Sequence, residues 1–222
     1  MLNTLPNDLF VEQPFQTTVC ENVFLEGIGL HSGRFVRMLI RPAPANCGIK
    51  FRRMDISGQL STVIAHASYA EQARLCTRIV NSEGITLETI EHLMAAFAGL
   101  GLDNAVIETD ASEAPILDGS SQPILDAITN VGLEALPAKR KLMVVNKPVE
   151  VQLELGAWAR LDPSDHLQIN VKIEFDDHVY SRVCRHLTSG NSELHYPSYK
   201  SCLFPLIIES FFKWIEFFLR VN

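Results

Sequence analysis

The 222-residue sequence predicts an α+β protein, a two-layer domain of one sheet and two helices followed by the incomplete beginning of a second, similar domain. Three patterns predict it. Glycine-punctuated apolar runs fill residues 16–60. Two helical signatures follow, at residues 90–97 and 121–132. Beyond a proline and a basic run, Leu167, Ile169, Val171, Ile173 and Phe175 alternate with polar residues, the period of a half-buried strand. The boundaries read as 1–137 for the first domain, 138–184 for the strands of the second, and 185–222 for a divergent tail.

Each element has a physical reason. Val19, Val23 and Leu25 lead into the loop Gly27-Ile28-Gly29-Leu30-His31-Ser32-Gly33, and residues 35–40 form the return strand. Arg41-Pro42-Ala43-Pro44 stops it, because proline cannot donate to a sheet ladder. Residues 49–52 make a third short strand. Ile90, Leu93, Met94 and Phe97 mark one helical stripe. Thr86 or Thr89 is expected to cap that helix, and Gly99 and Gly101 to end it. Residues 105–108 read as a strand. Ser121 before Pro123 starts the second helix, Ile124, Leu125, Ile128 and Val131 form its apolar face, and Gly132 stops it.

Residues 136–141, Leu-Pro-Ala-Lys-Arg-Lys, read as a domain boundary. Residues 142–145, 149–153 and 157–161 read as strands of the second sheet. Pattern is lost from about Cys184, and residues 203–219 form an aromatic-rich stretch in which Ile207, Ser210, Phe211, Trp214 and Phe218 could share a helical face.

Composition narrows the class. Hydrophobic residues are 47% and charged residues 20%, which argues against wholesale disorder. A net charge of -7 with no long basic run argues against a nucleic-acid partner. Five cysteines, none spaced C-x-x-C, point to reduced thiols. No stretch reaches the ~18 apolar residues of a spanning helix, and residues 1–10 lack the pattern of a secretory signal. A cytoplasmic protein without an integral membrane span is expected. No specific protein partner is indicated.

The chemistry centres on Glu91-His92 in the first turn of the first helix. A neutral imidazole is a common zinc ligand. A neighbouring glutamate can take a proton from a metal-bound water and later return it. Adjacent helix positions differ by about 100°, so one side chain can ligate while the other handles protons. Alone, the dipeptide is more often a solvated pair.

Five segments change that reading. They are Gly27-Ile28-Gly29-Leu30-His31-Ser32-Gly33, Arg41-Pro42-Ala43-Pro44-Ala45-Asn46, Thr89-Ile90-Glu91-His92-Leu93, Ala98-Gly99-Leu100-Gly101-Leu102-Asp103-Asn104 and Ala114-Pro115-Ile116-Leu117-Asp118-Gly119-Ser120. In order and spacing they resemble the zinc-dependent UDP-3-O-acyl-N-acetylglucosamine deacetylases of lipid A synthesis. The resemblance fades toward Phe175 and is not seen beyond about Cys184.

It implies a single-zinc amidohydrolase that removes acetate from a UDP-sugar lipid precursor, with two domains of similar fold and the active site between them. It makes His92 a Zn2+ ligand and Glu91 the general base, and it puts Leu75-Cys76-Thr77 against the sugar or acyl region of the substrate. His31 has two readings, as a neighbour of the active site or, preferred, as a residue that satisfies backbone groups and fixes its loop. Asp118 is expected to bond local backbone N–H groups in a turn. Cys76 reads as a small buried hydrophobe.

The sequence departs from the family in one respect. The resemblance requires a His-x-x-x-Asp pair for the remaining zinc ligands. The seven histidines, at 31, 66, 92, 166, 178, 186 and 195, are followed four residues on by Phe35, Ala70, Ala96, Asn170, Arg182, Gly190 and Tyr199. None is acidic. His178 and His186 read as surface loop residues, not substitute ligands. The expectation is a truncated chain whose tail from about residue 185 is unrelated to the family. The competing reading is an inactive fragment, at most a structural or interaction module.

Overall fold

The structure is a computed structural model that describes residues 14–57, 61–71, 73, 75–141, 144–152, 158–164, 168–173 and 183–188. The chain separates into two compact units between Arg140 and Lys141. The expected helical face at residues 203–219 lies outside the described residues, as do His178 and His195.

In the first unit the elements run β1 (Phe15–Val19), β2 (Val23–Ile28), β3 (Phe35–Pro42), β4 (Ile49–Arg53), β5 (Thr62–Ile64), β6 (Ala70–Glu71), β7 (Arg78–Val80), β8 (Thr86–Glu88), α1 (Glu91–Leu100), β9 (Ala105–Thr109), α2 (Gln122–Val131) and β10 (Leu133–Lys139). Five strands make the main sheet in the order β2-β3-β9-β4-β5. Only β4 and β9 pair in parallel. Alternation decides which face is covered. Val36, Met38 and Ile40 of β3, Phe51 of β4 and Ile107 of β9 are buried, while Phe35 and Arg37 stand on the open face. Leu93, Phe97, Ile124 and Ile128 from the two helices pack into one cluster with Met38, Ile40, Phe51 and Ile107. Full burial of each such side chain stabilises the fold by about 1.5–3 kcal/mol. This is the expected α+β arrangement of a sheet with two helices.

A smaller sheet, β6-β7-β8, and the strand β5 occupy residues 62–88, where the sequence carried no clear periodicity. These strands have two or three residues each, too few to display a period of two.

The helix ends partly differ from expectation. Gly101 does close α1, with φ 71° in the left-handed region, and Gly132 follows α2 with φ 80°. The expected threonine cap is absent. The residue before α1 is Ile90, which makes no side-chain cap. Thr86 sits in β8, and the Thr89 hydroxyl donates instead to Glu113 Oε1 at 3.0 Å. Ser121 likewise makes no cap bond to α2, because its hydroxyl donates to the His92 carbonyl at 3.0 Å.

Residues 136–139 are part of the first unit. They belong to β10, which pairs antiparallel with β1, and the ladder is irregular between Phe15 and Thr17 where Pro137 has no N–H to give. Arg140 then ties this strand to the end of α1, donating to the Gly101 carbonyl at 2.6 Å and to Asp103 Oδ2 at 2.8 Å.

In the second unit β11 (Val149–Gln152) pairs with β12 (Trp158–Leu161), and β13 (Gln168–Ile173) with β14 (Val183–Thr188), both antiparallel. Residues 144 and 145 are not in a strand, against expectation, and the first two residues of that expected strand lie outside the described residues. β14 also corrects the expected loss of pattern from Cys184. Cys184 to Thr188 continue a regular ladder, and His186 pairs with Asn170 in a strand, not a loop.

Candidate functional site at the start of helix α1

Glu91 and His92 open α1 and are both buried. The backbone positions them through a local contortion. Thr89 adopts φ 58°, which costs a β-branched residue about 1–2 kcal/mol, and Ile90 then turns into the helix. Glu91 lies in the first turn, where the helix dipole favours a carboxylate. Its Oε2 accepts the Thr77 backbone N–H at 3.1 Å. The structure thus brings Glu91 against the segment Leu75-Cys76-Thr77. In that segment Leu75 has φ 60° and is 63% exposed, whereas Cys76 and Thr77 are buried. Among the described residues the buried Thr77 hydroxyl has no hydrogen-bond partner.

Burial pushes the His92 imidazole below its ordinary pKa, and the nearby Asp118 carboxylate opposes that shift. The neutral ring is the form that can ligate a metal. Asp118 Oδ1 accepts the backbone N–H of Ser120 at 2.9 Å and its hydroxyl at 2.7 Å, which shapes the turn before α2. Burial raises the Cys76 thiol, with a backbone bond at Thr89 opposing, so Cys76 is a protonated, inert thiol.

His31 is exposed, and its loop is held through its backbone, not its ring. The backbone N–H groups of His31 and Ser32 donate to Glu113 Oε1 and Oε2 at 2.9 and 2.8 Å. Glu113, which the sequence reading missed, is 2% exposed. Its burial raises its pKa, but hydrogen bonds from Ser32, His31 and Thr89 prevail and hold it below 4.5. A lone acid in an apolar stretch, Ser112-Glu113-Ala114-Pro115-Ile116, was the available signal.

Catalytic zinc requires about three protein ligands. Among the described residues no group of three His, Cys, Asp or Glu side chains comes together to hold a metal ion. His92 with its neighbour Asp118 does not complete a zinc site on its own. Among the described residues no helix is long and apolar enough to cross a membrane.

Residues 16–199 match the family model of the UDP-3-O-acyl N-acetylglycosamine deacetylases. The match reaches past Cys184, where the motif resemblance ends. Among similar curated proteins, the UDP-3-O-acyl-N-acetylglucosamine deacetylase of Shewanella pealeana is 42% identical over 173 residues, covering 78% of this chain and 56% of that protein. Those of Pseudoalteromonas atlantica and Colwellia psychrerythraea are 40% and 39% identical over 172 and 170 residues. The chain spans about half the length of the curated relatives it matches. A family match over most of the sequence, on a fold that brings the Glu91-His92 turn against the 75–77 segment, leads to one conclusion: the chain belongs to the UDP-3-O-acyl N-acetylglycosamine deacetylase family.

Proposed function

We propose that this chain carries the general-base half of a zinc-dependent deacetylase that removes the N-acetyl group of UDP-3-O-acyl-N-acetylglucosamine, a step of lipid A synthesis. The family and the names of the relatives support the reaction class and the substrate. The observation that carries the residue assignment is the buried Glu91 carboxylate, held by the Thr77 N–H next to the neutral His92 imidazole. In this reading Glu91 Oε1 or Oε2 accepts the proton of the water that attacks the acetyl carbonyl, and returns it to the departing amine. His92 is one zinc ligand, and the other donors come from outside the described residues. Leu75, Cys76 and Thr77 line the sugar or acyl region, and Leu75 is exposed enough to meet it. In this reading the chain from Lys141 onward begins the second domain, after β10 has ended and not at residue 138. A cytoplasmic location belongs to the proposal, supported by free thiols at Cys20, Cys47 and Cys76.

A second reading is favoured by the ligand count. With none of the seven histidines followed by an acid four residues on, the chain by itself is an inactive structural or interaction module. Elemental analysis of the purified chain, with an assay of acetate release from the UDP-sugar, separates the two. Stoichiometric zinc with turnover supports the enzyme. Neither zinc nor turnover supports the inactive module.

A further inference from the structure

We propose that Glu113 is a positioning residue that joins the turn at residues 29–32 to the start of α1, so that the two move as one unit. The carboxylate is almost fully buried, yet every donor it meets among the described residues belongs to one of two segments distant in sequence. On one side are the backbone N–H groups of His31 and Ser32, with the Ser32 hydroxyl contributing as well. On the other is the Thr89 hydroxyl. Both oxygens are therefore engaged, and Oε1 is shared between His31 and Thr89.

The main chain around Glu113 makes the same connection. The Glu88 N–H donates to Ser112 at 2.9 Å and the Ala114 N–H to Glu88 at 3.0 Å, while the Ile116 N–H donates to Ile28 at 2.9 Å. Residues 112–116 thus lie between the end of β2 and the residue just before Thr89. Gly29 is shaped for the carboxylate. A Cβ at that position would sit 2.5 Å from Glu113 Oε2 and would also collide with the Ser32 hydroxyl, so only glycine lets the turn close on the acid.

Thr89 is the transmitting residue. Its left-handed backbone is unfavourable for a threonine, and its hydroxyl bond to Glu113 opposes relaxation. Two residues later Glu91 meets the Thr77 N–H. The path from the turn to the general base is thus turn, Glu113, Thr89, Glu91. Its catalytic meaning rests on the role proposed above for Glu91; the mechanical coupling does not.

The test is residue-resolved amide hydrogen exchange on the full 222-residue chain, which uses neither zinc nor turnover and so fails or succeeds independently of the deacetylase reading. Glu113→Gln keeps the shape and removes the charge. Exchange at His31 and Ser32 is expected to rise on the order of tenfold or more, the scale of losing a charged acceptor, and to rise also at Thr77, which does not touch Glu113. Thr89→Val removes only the second link. It is expected to speed exchange at Thr77 while leaving His31 and Ser32 within about twofold of the parent, because their bonds to the acid persist. Thr89→Ser, which keeps the hydroxyl, is expected to restore Thr77. The proposal is overturned if Glu113→Gln affects only His31 and Ser32, or if Thr89→Val leaves Thr77 protected. Should Glu113→Gln not fold, the Thr89→Val and Thr89→Ser pair decides alone.

Discussion

The two units of the chain handle the same physical problem differently. Residues 14–140 cover one face of their sheet with two helices and bury Phe51, Phe97, Met38, Ile40 and Ile107 almost completely. In the described part of the second unit, strands occur as two separate pairs, and Trp158 on β12 is 66% exposed. Two-stranded ladders are marginal by themselves, whereas a sheet covered by helices holds itself together. The difference teaches that the Glu91-His92 turn rests on a buried core built from residues of the first unit.

The sharpest way to break this comparison is to hollow out the core of the first unit. Phe97→Ala is expected to cost about 3–5 kcal/mol, read as a fall in the thermal or denaturant midpoint. A loss below ~1 kcal/mol would mean the first unit's core does not carry its stability. Gly29→Ala comes next, at about 1–3 kcal/mol for forcing a methyl into filled space. Gly33→Ala, where nothing lies within 4 Å of the added carbon but φ is 63°, should cost only the left-handed penalty of about 1 kcal/mol.

Glu113 sharpens the comparison through pH. Its folded carboxyl titrates below its unfolded value of 4.5. Its stabilisation is therefore complete above pH 4.5 and is lost as pH falls through the folded value. The parent should exceed Glu113→Gln in stability at neutral pH, and the gap should shrink in acid. A gap independent of pH would show that charge is not what the turn recognises. The smallest effect belongs to the second unit: Trp158→Ala should change stability by less than about 0.5 kcal/mol, measured by the same denaturation.

Much of this architecture was legible in the sequence where periodicity was long enough. Ile90, Leu93 and Phe97 announced α1, Pro123 and Gly132 bracketed α2, and the alternation at Leu167 to Ile173 coincides with a strand over Gln168–Ile173. The Glu91-His92 pair was legible through the five motif segments, not through the dipeptide. What stayed hidden depends on partners distant in sequence. Thr89 looks like a helix cap, but a buried acid 24 residues later competes for its hydroxyl. Pro137 reads as part of a domain boundary, but it lies inside β10, where a bulge opposite β1 accommodates it. Glu113 itself could not be ranked, because the two N–H groups that make its burial tolerable come from a loop 81 and 82 residues earlier.

The proposed function assigns proton transfer to Glu91 and metal binding to His92. The most direct measurement is zinc content alongside acetate release in a full-length relative that carries the same five segments, for the parent and for the changes that match Glu91→Gln and His92→Ala. Glu91→Gln is expected to keep its zinc while acetate release falls by about 10²–10⁴-fold, and His92→Ala to lose both. Unchanged zinc and unchanged hydrolysis in His92→Ala would contradict this division.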